Sequence, residues 1–191
     1  MVQSLKVKIM FKIVKDSSLS LRSKSKPVEM PLTKKDRDLI LRMFSYLKKT
    51  QDPAFREKHP SIREGVGLAA PQVGVNKRMT TIYYHDSEGK EIQYALVNPR
   101  IVENSIKKCY LLAGEGCLSV DEKHEGYVPR DNKIKVRAFD VLTDADIEIT
   151  ARGYDAIVLQ HEIDHLDGIL YYDRININNP FQVIEGAVEI S

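Results

Sequence analysis

The sequence predicts an α+β fold, with antiparallel β-sheets around a central helix that carries a His-Glu-x-x-His motif and a further helix toward the N-terminus. Three observations carry this reading. His161-Glu162-Ile163-Asp164-His165 lies inside residues 154–167, a segment made apolar nearly all round by Ala156, Ile157, Val158, Leu159 and Ile163 and therefore expected to be buried. Ile134, Val136 and Ala138 alternate with Lys and Arg, and Ile147, Ile149 and Ala151 with polar neighbours, which is the period of half-buried antiparallel strands. Leu39, Ile40, Met43, Phe44 and Leu47 instead share one helical stripe.

Taken in order, residues 33–51 form the first helix. Thr33 and Asp36 resemble a capping box, and Lys48 and Lys49 suit the negative end of the helix dipole. Residues 50–63 are polar, with prolines at 53 and 60, and read as an irregular excursion. Residues 79–84 and 92–97 form a hairpin about the turn Ser87-Glu88-Gly89. The central helix is bounded by Gly153 and by Gly168 at its C′ position. With no internal repeat or linker, residues 1–191 read as a single domain.

Composition narrows the function classes. Lys+Arg 29 against Asp+Glu 27 leaves a formal charge of only +2, which argues against nucleic acid or an anionic membrane as the main partner. No apolar run approaches the roughly 18 residues that span a bilayer. Lysines interrupt every apolar run in residues 1–15, so no secretory signal is read there. Two cysteines, Cys109 and Cys117, cannot make a disulfide framework and suit free thiols or metal ligands in a reducing compartment. The chain is expected to be cytoplasmic and monomeric.

The chemistry centres on the central helix. Positions i and i+4 lie about 40° apart around a helix, one turn removed, so His161 and His165 can face one divalent ion while Glu162 reaches a neighbouring water. Buried charges need partners, and a metal supplies one. A catalytic site of this kind has three protein ligands and one open position. The downstream position that would hold a third His in the extended motif is Tyr171, and Glu185 is the best carboxylate alternative. Upstream, Cys117 stands in Gly114-Glu115-Gly116-Cys117-Leu118-Ser119, where small neighbours admit both a metal and a substrate to the backbone. Cys109 reads as structural, His124 as a fallback ligand, and His59 and His85 as surface residues. Gly65-Val66-Gly67-Leu68-Ala69-Ala70-Pro71-Gln72-Val73-Gly74 is either a tight turn or a backbone strip along a bound peptide, with Gln72 as an amide donor.

Together these segments resemble peptide deformylase, whose signatures G-x-G-x-A-A-x-Q, E-G-C-L-S and H-E-x-D-H stand here at 65–72, 115–119 and 161–165 without mismatch. The resemblance runs from about residue 6 to residue 173. The polar excursion and the Val120-Asp121 pair are similar to the longer form typical of Gram-positive bacteria and mollicutes. It implies removal of the formyl group from N-formyl-methionyl nascent polypeptides at the ribosome. Cys117, His161 and His165 would ligate one divalent metal, expected natively to be Fe2+, with Zn2+, Ni2+ or Co2+ able to replace it. Gln72 and the Leu118 N–H would face the developing oxyanion, and Glu162 would carry the proton. Val66 and Gly67 would pair with the substrate backbone, while Ile157 and Val158 would line the methionine pocket. Arg130 would support the helix through Asp164 or Glu115. Two readings compete with this one. One is a zinc endopeptidase with Glu185 as third ligand, and the other a structural metal module closed by His124.

Overall fold

In the computed structural model, which describes residues 10–191, two long helices flank one antiparallel sheet. A short turn of helix α1 (Leu19–Arg22) precedes α2 (Lys34–Thr50), which begins where expected because the Thr33 hydroxyl accepts the Asp36 N–H at 3.2 Å. The excursion that follows is not wholly irregular. Asp52 accepts the Ala54 N–H and Pro53 occupies the first turn, so residues expected to be a loop form α3 (Pro53–Lys58).

The strands are β1 (Gly67–Ala69), β2 (Met79–His85), β3 (Glu91–Asn104), β4 (Lys108–Leu111), β5 (Arg130–Asp131), β6 (Lys133–Asp140), β7 (Ala145–Arg152) and β8 (Val188–Ile190). The central helix α4 (Tyr154–Leu166) follows β7, and Gly168 beyond it takes φ +77°, as a left-handed cap requires. The main sheet has the order β1-β2-β3-β6-β7, antiparallel throughout, and a smaller sheet has the order β5-β4-β8. β2 and β3 pair as the expected hairpin, its turn fixed by Asp86 accepting the N–H groups of Glu88 and Lys90. β3 runs further than its alternation suggested, through register shifts between Val97 and Arg100 and between Ile101 and Glu103. In the tail beyond Pro180, β8 pairs in parallel with β4.

Alternation along β2 sorts the core. Met79 and Tyr83 face α2 and pack with Ile40, Met43 and Leu47, whereas Ile82 and Tyr84 face α4 and pack with Val158, Leu159 and Ile163. α4 therefore lies between the main sheet and the small one, to which the Gln160 amide ties it by bonds to both backbone groups of Asp131 at 2.9 Å. Among the described residues no helix is long and apolar enough to cross a membrane. The first nine residues, including much of the lysine-rich 1–15 segment and residue 6, where the resemblance starts, lie outside the described residues.

Candidate active site

α4 brings His161 and His165 to one place, where Cys117 from the segment after β4 meets them. The Cys117 Sγ and one nitrogen each of His161 and His165 lie within 4.8 Å of one another, and the Cys117 Sγ is 3.3 Å from His165 Nε2. All three are buried. Among the described residues this is the cluster able to hold a metal ion, and neither rival ligand joins it. Glu185 is exposed on the tail, and His124 stacks on Tyr172 with ring centroids 4.1 Å apart. His85 is exposed as expected, whereas His59 is half-buried against Phe55. Cys109 is fully buried in β4, and that burial pushes its thiol up to about 11.

The donor chemistry fits a divalent ion. A thiolate and two imidazoles form a set that takes iron or zinc. Burial disfavours a charged sulfur, but the adjacent imidazoles of His165 and His161 hold the Cys117 thiol well below its ordinary value. His161 Nδ1 is 2.8 Å from Glu115 Oε2, which leaves Nε2 for a ligand. Burial opposes a charged Glu115 as well, yet Arg130 and His161 hold its carboxyl down to about 2.

Sequence alone left open whether Arg130 meets Glu115 or Asp164. It meets both. Its Nε and Nη2 donate to the two Glu115 oxygens at 2.8 and 2.9 Å, and its Nη1 donates to Asp164 at 2.5 Å. Arg174, which carried no sequence signal, grips Asp164 with two further bonds of 2.6 Å. The helix motif is thus anchored by a buried network in which each carboxylate has a guanidinium partner.

Glu162 has a different setting. It is 3% exposed, and one oxygen lies 3.2 Å from the Thr80 hydroxyl on β2. Burial raises its carboxyl above the ordinary value, against the opposing pull of the imidazoles of His165 and His161. Its side chain packs on Gly67, where an added Cβ would come within 2.7 Å of Glu162 Cγ, so that position requires glycine.

Gly67 belongs to an edge strand, since β1 pairs only with β2. The Val66 carbonyl already accepts the Tyr83 N–H, so antiparallel alternation turns the Gly67 backbone groups toward the open edge. α2 fixes this strand from behind, with Gly65 N–H on the Thr50 hydroxyl and Gly65 C=O on the Gln51 amide. After β1 the glycine-rich run closes as a tight 3-10 turn. In that turn Gln72 is buried, its Oε1 accepting the Ala69 N–H at 2.8 Å and its Nε2 lying 3.6 Å from Cys117 Sγ.

These groups surround a cavity of about 330 Å3. Val66, Gly67, Gln72, Cys117 and Leu118 form one side, and Ile157, Val158, His161 and Glu162 of α4 the other. Leu111, Tyr154 and Arg63 also line it, none of them signalled by a sequence motif.

The family model described as polypeptide deformylase matches residues 10–180. A Bacillus subtilis (strain 168) protein named peptide deformylase 2 is 46% identical over 178 residues, covering 93% of this chain and 96% of that protein. An Oceanobacillus iheyensis peptide deformylase is 44% identical over the same shares of the two chains. Among solved structures, a peptide deformylase from Ehrlichia chaffeensis superposes with TM-score 0.72 at 32% identity, covering 90% of each chain. A class I type b peptide deformylase from Acinetobacter baumannii, solved with Met-Ala-Ser bound, gives TM-score 0.67 at 29% identity over 87% of this chain and 98% of that one.

Proposed function

This chain belongs to the peptide deformylase family, and we propose from that premise how its own residues share the work of the reaction. It is a metal-dependent hydrolase that removes the N-formyl group from newly synthesised proteins. Cys117, His161 and His165 would hold the ion, which when bound supplies a Lewis acid that makes water nucleophilic near neutral pH. The single observation that carries the assignment is the placement of Glu162 beside those three ligands and against the open edge of Gly67.

Glu162 takes a proton from the attacking water and gives it to the leaving amine. Its raised carboxyl suits that double duty, because an acid–base group works best with its pKa near the working pH. The Gln72 amide and the Leu118 N–H stabilise the oxyanion that develops on the formyl oxygen. The Gly67 backbone, flanked by Val66, pairs with the substrate in strand fashion, and Ile157 and Val158 receive the methionine side chain. A peptide like the Met-Ala-Ser bound by the Acinetobacter enzyme would lie along the same edge. Glu115, Arg130 and Asp164 hold the motif in place without touching substrate.

Ferrous iron is the native metal in this reading, with zinc, nickel or cobalt as substitutes, and the sulfur–nitrogen donor set accommodates iron and zinc alike. The whole chain, 1–191, works as one monomeric domain in the cytoplasm, on chains emerging from the ribosome. Cavity shape supplies the test. A formyl carbon bears only hydrogen, whereas acetyl adds a methyl where Gly67, Gln72 and Leu118 close in, and misplacement by about 1 Å can reduce the rate on the order of 10²-fold. Formate release from formyl-Met-peptides should therefore far outrun acetate release from acetyl-Met-peptides, with internal peptide bonds left intact. Equal rates for the two acyl groups, or cleavage of an unmodified protein, would favour the endopeptidase.

A further inference from the structure

Three successive carbonyls beside the Cys117 sulfur are all taken by groups from distant parts of the chain. Arg63 Nη2 donates to the Leu118 carbonyl at 2.5 Å and Nη1 to the Val120 carbonyl at 3.0 Å. Between them, the Asp16 N–H donates to the Ser119 carbonyl at 3.0 Å. The peptide unit that joins Leu118 to Ser119 is thus held at both ends. Its carbonyl is on Arg63, and its N–H donates to Cys117 Sγ at 3.4 Å. A trans peptide unit is planar with its C=O and N–H pointing in opposite directions, so fixing the oxygen also aims the N–H.

We infer that Arg63 is a positioning residue for the reaction: through the 118–119 peptide unit it keeps the Ser119 N–H on the Cys117 sulfur, and through the Val120 carbonyl it steadies the turn in which the Val120 N–H holds the Cys117 carbonyl, the other end of the peptide unit that carries the Leu118 N–H. The inference rests on the reading of Cys117 as a ligand and Leu118 as an oxyanion donor. An N–H bonded to a ligand sulfur draws charge from it and so tunes how strongly that sulfur donates to the metal. A guanidinium presents its N–H groups to the two carbonyls in a fixed planar fork, whereas a lysine ammonium is a compact charge on a flexible stem that holds them less rigidly. Arg63 stands at the cavity mouth with its side chain 46% exposed, so its task is not to fill the core.

The cobalt-loaded protein provides a readout beyond activity, the sulfur-to-cobalt charge-transfer absorption. Arg63→Ala should shift that band and lower kcat by about 10- to 10²-fold, with KM little changed, because the loss falls on groups that act in the transition state. Arg63→Lys should move both in the same direction by less. Should Arg63→Ala fail to fold, Arg63→Lys is read alone by the same two criteria. A band and kcat that stay at wild-type values overturn the inference, and so does a loss of activity with the band unmoved. Wild-type protein lacking the band would instead overturn the ligand assignment on which the inference stands.

Discussion

α2 and α4 pack on opposite faces of one sheet, yet they solve burial in opposite ways. α2 buries one stripe, Ile40, Met43 and Leu47 among it, and leaves its other face to water. α4 buries every residue from 156 to 166, including Gln160, His161, Glu162, Asp164 and His165. On α2 an ionisable group is mostly solvated, so its partners matter little. On α4 each carboxylate needs a partner or a reason to be neutral, because leaving a buried charge unpaired is expensive. One helix is scaffold, and the other is a rigid platform whose polar groups are fixed by their surroundings.

The comparison breaks most sharply at Glu162. Among the buried ionisable groups of α4 it lacks an arginine or a ligand role, and burial, with the Cys117 sulfur adding to it, raises its carboxyl. Glu162→Ala should keep near-normal metal content and lose about 10²- to 10⁴-fold in kcat, the scale of general acid–base catalysis. Metal analysis and formate release on the same preparation check it. Metal and activity vanishing together would make Glu162 a structural support instead.

A smaller but more discriminating effect concerns ion pairs. Arg130→Met leaves Glu115 facing His161 alone and should destabilise the fold by about 3–5 kcal/mol, as breakage of buried pairs does. On α2, Arg37 reaches Asp144 at 2.6 Å, but the two side chains are 39% and 69% exposed. Arg37→Met should change stability by no more than about 1 kcal/mol. Denaturant midpoints at equal metal loading give both numbers. Similar losses for the two variants would mean that the α4 network is no better insulated from water than the surface.

How much of this was legible depends on the helix. The stripe and cap of α2 could be read from spacing, because a solvated face leaves a periodic signal. α4 has no such periodicity, and its chemistry was read from the order His161, Glu162, His165 and from glycines around Cys117. The partners of Arg130 were not decidable, since Glu115 and Asp164 come from distant segments and only packing reveals that both are reached. Arg174, Arg63 and Tyr154 escaped notice for a similar reason. Each sits outside a motif: Arg174 and Arg63 reach their places through the folding of the segments that carry them, and Tyr154 lines the cavity from the first turn of α4. β8 is a strand of three residues whose pairing depends on β4 being nearby. Helix α3 was hidden by its proline, which reads as a breaker unless Asp52 is recognised as the cap before it.

The finest test lies at the start of α2, where Asp36 is the helix's buried charged residue, 4% exposed. Its burial opposes ionisation, but Lys77 and the Thr33 hydroxyl hold its carboxyl below the ordinary value. A carboxylate with a depressed folded-state pKa adds stability above its unfolded value of about 3.9, and that stability is lost as pH falls through the folded pKa. Asp36→Asn should therefore cost most at neutral pH, and the gap in Tm to wild type should narrow as pH is lowered below about 4. Thr33→Ala should cost about 1 kcal/mol at pH 7, the usual worth of an N-cap, and leave kcat unchanged because α2 contributes no group to the reaction. Thermal melts at about pH 7 and about pH 3, with formate release at the higher pH, decide the matter. A gap that stays constant across that range would show that Asp36 contributes through shape rather than charge. A fall in kcat for a folded Thr33→Ala protein would show that the cap reaches the site through Gly65, and the division between scaffold helix and reactive helix would no longer hold.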